Sequence, residues 1–239
     1  MKLQGKRALV TGGTDGIGLA LARELRGRGA EVLICGRNPE RLAGARAEGI
    51  EAIAADLGTM AGIDTVVAAA RDWGIDILVN NAGMGAAFTI DQPIDLAGVD
   101  ATIALNLTAP IHLISRLIDE LRARPEAMIV NVTSGLAIAP NAGSPVYCAT
   151  KAGLRSFTMA LRAQLAGSKV AVMEALPPVV DTAMTRDNPH GKMAPEECAR
   201  QIAAAMAAGN TEANVGMVRV LSAVHNFAGP VARRVMLRY

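Results

Sequence analysis

Cysteine is rare in this sequence of 239 residues, and the placing of its three copies excludes two classes of protein. Cys35, Cys148 and Cys198 are widely spaced, without the close pairs that zinc sites and disulfide frameworks need. We therefore expect reduced thiols. The three histidines are equally scattered, with no carboxylate at a ligand spacing, so no metal site is predicted.

An excess of charge and a long hydrophobic run are also missing. The 24 Lys and Arg nearly balance the 22 Asp and Glu, and no basic stripe stands out, which excludes the usual signature of nucleic-acid binding. We find no window of the about 18 apolar residues that a membrane span requires, and no room for a signal peptide before residue 7. We expect a soluble, cytoplasmic protein with neither a membrane nor a nucleic-acid partner.

Hydrophobic residues, by contrast, make up 51 % of the chain and charged residues only 19 %, which suffices for a sizeable core. Short apolar runs alternate with longer stretches of helical spacing. This alternation predicts a three-layer α/β fold: a Rossmann-type doubly wound parallel sheet of about seven strands, in the order 3-2-1-4-5-6-7, in one domain over residues 1–239. The predicted strands cover residues 7–10, 31–35, 51–55, 75–79, 128–132, 169–176 and 213–216.

A glycine-rich turn joins the first predicted strand to the first helix. Its spacing is TGxxxGxG, over the residues Thr11-Gly12-Gly13-Thr14-Asp15-Gly16-Ile17-Gly18. Glycines permit a tight turn and let a pyrophosphate lie against the amides at the helix N-terminus. Such a turn is often an ordinary strand-to-helix connection, so other positions have to decide.

Three further residues suggest acid/base chemistry. Tyr147 and Lys151 are four positions apart and share one face of a predicted helix. An ammonium there is expected to lower the pKa of the phenol from about 10, which would make the tyrosine a general acid/base near neutral pH. Ser134 precedes them and offers a hydroxyl to a substrate oxygen that gains charge.

With these motifs, the chain resembles the single-domain short-chain dehydrogenases/reductases over nearly its whole length. The matching positions also include Asp56, Asn80-Asn81-Ala82-Gly83, Asn106 and the segment 177–182. Within that family, segments 132–137, 145–151 and 177–182 are similar to the DltE-type oxidoreductases. The resemblance implies hydride transfer between NADP(H) and a small-molecule alcohol or carbonyl substrate.

The resemblance also implies the roles of individual residues. The catalytic set would be Asn106, Ser134, Tyr147 and Lys151. In that set Asn106 distorts its helix and anchors a water that connects Lys151 to solvent. The implied cofactor-binding residues are Gly12, Thr14, Asp15, Gly16, Ile17, Gly18, Arg37, Asp56, Leu57, Asn81, Ala82, Gly83, Tyr147, Lys151, Val180 and Thr182. One departure is Pro178, which stands where the family usually has glycine and puts the local nicotinamide contact in doubt.

The end of the second predicted strand indicates which dinucleotide is used. Enzymes that choose NAD place an acidic residue there for the adenosine ribose, whereas this chain has Gly36 followed by Arg37. A guanidinium suits a 2′-phosphate. Asp15 acts against this preference, because many NADP-using relatives carry a basic residue at its position. We predict NADP(H), with NAD(H) the less favoured choice.

Other functions and features stay open at this point. A non-catalytic NADP-binding regulator would keep the same fold, and an epimerase or dehydratase of the related extended fold would need a larger C-terminal domain. Residues 181–193 are the predicted substrate loop. The predicted helix 146–165 is apolar on more than one face, which favours a homodimer or homotetramer. The apolar C-terminal tail could pack on its own domain, cover a partner subunit or touch a membrane surface.

The location of one group of apolar residues has two interpretations. Either they line the substrate pocket or they belong to the core. The group consists of Met84, Leu136, Ala137, Ile138 and Met184.

Overall fold

The computed structural model describes residues 1–86, 88–188 and 191–238, and its centre is a seven-stranded sheet in the order β3-β2-β1-β4-β5-β6-β7. Every neighbouring pair of strands is parallel. The predicted sheet and its strand order are confirmed. The strands are β1 (Arg7–Thr11), β2 (Glu31–Gly36), β3 (Glu51–Ala54), β4 (Ile77–Asn80), β5 (Ala127–Val132), β6 (Val170–Leu176) and β7 (Glu212–Asn214).

Helices cover both faces of this sheet, because parallel strands need crossover connections. One apolar cluster packs α1, α2 and α7 against one face, and a second cluster packs α3, α5 and α6 against the other. The result is the predicted three-layer, Rossmann-like arrangement. The helices are α1 (Gly16–Gly27), α2 (Pro39–Ala47), α3 (Met60–Trp73), α4 (Leu96–Ile103), α5 (Ala109–Arg122), α6 (Pro145–Gln164), α7 (Pro195–Ala208) and α8 (Val218–Met236).

The stretch Leu96–Arg122 differs from the expectation that no segment is long and apolar enough to cross a membrane. It joins α4, a π-helical turn and α5 into 27 residues that pass this test by length and composition alone. Counting consecutive apolar residues misses the stretch, since polar residues interrupt it. In the fold, Leu113, Leu117 and Leu121 of α5 are buried against the sheet. The core helix of a soluble protein passes the same test.

The C-terminal tail forms α8, a helix with a kink at Ala228, whose backbone angles are φ −144° and ψ 56°. The kink precedes Gly229 and Pro230, since proline cannot supply the amide that a continuous helix needs. Val218 and Ala232 are buried against the rest of the chain. Part of the tail therefore packs on its own chain.

A buried hydrogen-bond chain fixes α6 beside the carboxyl ends of two central strands. Asn80 at the end of β4 donates to the Asn131 side chain in β5 at 2.8 Å, and Asn131 donates to Thr158 Oγ1 in α6 at 2.8 Å. Buried polar groups that are paired in this way set position and orientation. The helix that carries Tyr147 and Lys151 is thereby held at the edge where the strands end.

Candidate functional site

The carboxyl ends of the strands open into a cavity of about 420 Å³. This is where doubly wound sheets bind ligands. All of the predicted cofactor-binding residues line it, although they come from six separate parts of the sequence. They are Gly12, Thr14, Asp15, Gly16, Ile17, Gly18, Arg37, Asp56, Leu57, Asn81, Ala82, Gly83, Tyr147, Lys151, Val180 and Thr182.

The glycine turn needs its glycines for two reasons. Gly12 and Gly16 have φ angles of 62° and 50°, in the left-handed region that L side chains rarely adopt. A Cβ at Gly18 would lie 2.2 Å from the carbonyl oxygen of Gly12, so only glycine lets α1 start this close to β1. The first amides of a helix have no partner within it. The turn therefore presents backbone donors to the cavity, which fits the pyrophosphate of a dinucleotide.

The ends of β1 and β4 are joined through Thr11. Its hydroxyl accepts from the backbone amides of Asn81 and Ala82 at 2.9 and 3.0 Å, while the Asn81 side chain donates to the Thr11 carbonyl at 2.9 Å. Asn81 and Ala82 thus form a rigid wall across the cavity from the first turn of α1.

Two arginines stand at the far end of the cavity, and our prediction named only the first. Arg37 follows β2, and its Nη1 lies 3.6 Å from Asp56 Oδ2, in a pair open to solvent. Arg41 lies in the first turn of α2 and donates to Asp15 Oδ2 at 2.6 Å. The charge of Asp15, which we expected to oppose a phosphate, is therefore balanced by Arg41. The signal was present: the Asn38-Pro39 start of α2 places residue 41 beside the end of β2.

Gly36 also limits what can stand at the end of β2. A Cβ at this position would lie 2.5 Å from Thr14 Cγ2, so any larger residue would push Thr14 of the glycine turn aside. An acidic residue that holds the adenosine ribose does not fit here without such a shift. Among the described residues, two positively charged side chains line the cavity at the end of β2. They are Arg37 and Arg41.

Ser134, Tyr147 and Lys151 come together at the other end of the cavity. Ser134 follows β5, and its Oγ accepts from the amide of Leu136 at 3.1 Å. Tyr147 lies in the first turn of α6, and its hydroxyl interacts with the Ser134 side chain, which acts to lower the pKa of the phenol. Lys151 Nζ donates to the carbonyl of Val132 at 2.8 Å and lies 5.7 Å from the centre of the Tyr147 ring. The predicted grouping of hydroxyls and ammonium is present.

The electrostatics of this group differ from our prediction. Burial raises the pKa of Tyr147 to about 12, and the interaction with Ser134 only partly opposes the rise. Burial also lowers the pKa of Lys151 to about 8, because a desolvated ammonium is costly. The prediction that Lys151 lowers the pKa of Tyr147 is therefore wrong for this arrangement. Its Nζ faces the ring and binds a carbonyl, and burial dominates both pKa values.

Asn106 is the one member of the predicted catalytic set that does not line the cavity. It is fully buried in a π-helical turn, Ala104–Thr108, so the helix is distorted where the resemblance implied. Its side chain accepts from the amide of Met84 at 2.9 Å and donates to the carbonyl of Met84 at 2.8 Å. Gly83 separates it from Lys151: a Cβ there would lie 3.3 Å from Asn106 Oδ1 and 3.5 Å from Lys151 Nζ.

The segment after β6 forms the remaining wall, and much of the predicted substrate loop lies here. Pro177 and Pro178 line the cavity, and the carbonyl of Pro177 accepts from the amide of Gly135 at 3.1 Å. Val180 pairs with Met193 in an isolated bridge that closes the base of the loop. Residues 189 and 190 of the predicted loop lie outside the described residues.

A second, larger cavity of about 900 Å³ adjoins Ser134 and Tyr147 on the side away from the glycine turn. Of the expected apolar lining residues, Leu136 and Met184 line it. Much of its wall comes from α8, whose contribution our sequence analysis left open. Within residues 1–86, 88–188 and 191–238, no group of three His, Cys, Asp or Glu side chains is arranged to hold a metal ion.

Comparison with known proteins connects this geometry to characterised folds. Residues 6–192 match the family model described as short chain dehydrogenase. The oxidoreductase DltE of Bacillus subtilis (strain 168) is 41 % identical over 191 residues, which cover 78 % of this chain and 76 % of DltE. The chain therefore has DltE-like relatives, as the motifs predict.

Two solved structures resemble this chain over nearly their full length. A short chain dehydrogenase from Burkholderia cenocepacia J2315 in complex with NADP has a TM-score of 0.89 at 26 % identity, with 99 % of both chains covered. A short chain dehydrogenase/reductase from Burkholderia phymatum in complex with NAD has a TM-score of 0.83 at 21 % identity, with 95 % of this chain and 96 % of that chain covered. Because one holds NADP and the other NAD, the cofactor choice has to be argued from residues.

Proposed function

This chain belongs to the short-chain dehydrogenase family of oxidoreductases, and from that premise we propose that it transfers a hydride between NADP(H) and an alcohol or carbonyl substrate, with Tyr147 as the general acid/base. The observation that carries the proposal is the position of Ser134 and Tyr147, whose side chains line both cavities. This pair lies at the junction of a cavity that suits a dinucleotide and a second cavity that is open to a substrate.

The position of each side chain indicates its role in the reaction. When bound, the nicotinamide supplies or accepts the hydride. Ser134 donates a hydrogen bond to the substrate oxygen, which gains negative charge as the carbonyl is reduced. Tyr147 gives its proton to that oxygen, and a pKa of about 12 means that it holds this proton at neutral pH. A protonated tyrosine is the form that carbonyl reduction requires.

Lys151 acts as a positioning and proton-supplying residue next to Tyr147. Its pKa of about 8 lies close to neutral pH, so it can lose and regain a proton under ordinary conditions. Its hydrogen bond to Val132 fixes its amine beneath the tyrosine ring. Asn106, behind Gly83, holds the loop that follows β4 through its two bonds to Met84.

The test of the proposed reaction is the variant Tyr147→Phe, which removes the hydroxyl and keeps the ring. We expect kcat with NADPH and a panel of carbonyl compounds to fall by at least about 100-fold, the usual contribution of general acid/base catalysis. NADPH affinity, read from nicotinamide fluorescence, should stay within about threefold.

Two outcomes would contradict the proposal. A Tyr147→Phe enzyme that keeps more than about a tenth of the wild-type rate would exclude Tyr147 as the proton donor. A wild-type protein that binds NADPH and turns over no carbonyl or alcohol would favour the alternative, a regulator that only binds the cofactor. The matched control is Cys148→Ser, which changes the adjacent buried side chain, whose thiol contacts Asn141, and keeps the Tyr147 hydroxyl.

We also propose that the protein is a homodimer or homotetramer that pairs through α6. Ala149, Ala152 and Met159 are exposed on this helix, whereas Leu154 and Leu161 are buried. A stripe of small and apolar side chains lets two helices approach closely. Light scattering at micromolar concentration is the test: a monomer mass would refute it, and Ala152→Arg should convert the oligomer to monomers.

A further inference from the structure

The two cavities of this chain meet at the reacting hydroxyls. Both are lined by Ser134 and Tyr147, together with Pro177, Pro178, Met184 and Thr185. A substrate oxygen that contacts the two hydroxyls from the side of the second cavity would leave the rest of the substrate inside that cavity. The nature of its walls therefore decides which substrates fit.

The walls are predominantly apolar. Asp187 is the one charged residue among the described residues that line the second cavity. Leu136 and Val179 line this cavity, and every side chain that α8 contributes to its wall is apolar. The α8 residues are Val218, Val220, Leu221, Val224, Val231, Ala232, Val235 and Met236.

Four of these α8 valines are open to solvent although they face the cavity. Val220, Val224, Val231 and Val235 are 53 %, 39 %, 56 % and 59 % exposed. The chain itself leaves this surface uncovered, and an uncovered apolar surface of this kind marks a binding site. Its continuity with Ser134 and Tyr147 identifies the occupant, because the surface begins where the reacting oxygen would lie.

We propose that the substrate is a ketone, aldehyde or secondary alcohol that carries an extended hydrocarbon group, and that α8 binds this group. This inference rests on the proposed function. The volume of about 900 Å³ lies at the upper end of the range of ligand sites and is far more than a short carbonyl compound fills. The scarcity of charge in the walls disfavours substrates with phosphate or carboxylate groups along the chain.

The first test is a series of straight-chain methyl ketones of about four to about ten carbons, assayed with NADPH. Burial of one methylene contributes about 0.8 kcal/mol, so kcat/KM should rise about fourfold for each added carbon until the cavity is filled. The gain should lie mainly in KM, since the group is remote from the reacting atoms. A flat or falling series in an active enzyme would overturn the inference.

The second test uses matched variants on α8. Val224→Asp places a charge in the cavity wall, whereas Phe227→Asp places one on the same helix at a side chain that is 94 % exposed and does not line the cavity. We expect Val224→Asp to lower kcat/KM for the longest ketone by at least about tenfold and for the shortest by less than about twofold. Phe227→Asp should change neither. Val224→Ser, which is milder, should show the same chain-length dependence if the aspartate variant melts early.

The remaining outcomes separate the rival explanations. Should Val224→Asp dissociate an oligomer and leave the chain-length series unchanged, the surface belongs to a second copy of this chain and the inference is wrong. Should the wild type turn over neither these ketones nor any other carbonyl or alcohol, the proposed function fails. Calorimetric binding of the same ketones to the NADPH-saturated protein then still decides: affinity that rises with chain length supports the apolar site, and equal affinities refute it.

Discussion

The proposed preference for NADP(H) can be tested at Arg37 and Arg41, the two arginines near Gly36. Arg37→Ala and Arg41→Ala each remove one guanidinium from the end of the cavity where the adenosine ribose would lie. Both substitutions should weaken the binding of NADPH more than the binding of NADH, because only NADPH carries the 2′-phosphate. Gly36 leaves no side chain to hold the ribose hydroxyls of NADH instead.

The expected magnitude follows from exposure and from existing partners. A hydrogen bond to a charged group contributes about 1.5 to 3 kcal/mol, and the lower value applies to Arg37, whose side chain is 67 % exposed. Its loss should therefore lower kcat/KM for NADPH by about tenfold. Arg41 already donates to Asp15 at 2.6 Å and would have to share its guanidinium between Asp15 and the phosphate. We therefore expect Arg41→Ala to lower kcat/KM for NADPH by only about threefold.

The assay compares kcat/KM for NADPH and NADH in the wild type and in each variant, at low and at high salt. Arg200→Ala is the control, since Arg200 is also exposed but pairs with Glu197 on α7 and lines neither cavity. The NADPH preference should shrink at high salt, because exposed charges are screened. Equal efficiencies in the wild type, or a cofactor ratio that Arg37→Ala leaves unchanged, would remove Arg37 from this role.

Two further predictions concern pH and packing. Burial lowers the pKa of Lys151 from 10.5 to about 8. Between these two pH values the unfolded chain therefore holds a proton that the folded chain has released. The free energy of unfolding of the wild type relative to Lys151→Met should rise by up to about 1.4 kcal/mol per pH unit above about pH 8; urea titrations that show a fall would contradict this. Gly18→Ala should abolish NADPH binding, since its Cβ would collide with a carbonyl, whereas Gly44→Ala in open space on α2 should raise stability by up to about 1 kcal/mol in thermal melts.

The sheet and the glycine turn could be predicted from sequence because their signals are local. Each buried strand is a short apolar run, and the turn needs glycine wherever φ is positive or a Cβ would collide. Strand ends were less well defined: the fourth predicted strand covers 75–79, whereas β4 is Ile77–Asn80. Asp76 interrupts the apolar run there, and its carboxylate accepts from the amide of Arg7.

The pKa values of the reacting group could not be predicted from spacing. The four-residue separation of Tyr147 and Lys151 does place them on one face of α6, 5.7 Å apart from amine to ring centre. The direction of each pKa shift, however, depends on burial, which is the largest cause of both shifts. The spacing of two residues in a helix predicts that their side chains lie close together. Their pKa values also depend on the surrounding dielectric, which is a property of the whole fold.

The role of α8 could not be predicted from the sequence either. Residues 220, 224, 231 and 235 share one helical face in the sequence pattern, which predicts an apolar stripe and says nothing of what covers it. The decisive fact is that Val218 packs on Gly135, where a Cβ would lie 2.9 Å from Val218 Cγ2. This contact between distant parts of the chain brings the stripe over the reacting hydroxyls. A Cβ at Gly135 would force the Val218 side chain to move, so the glycine next to Ser134 allows α8 to lie this close to the hydroxyls of Ser134 and Tyr147.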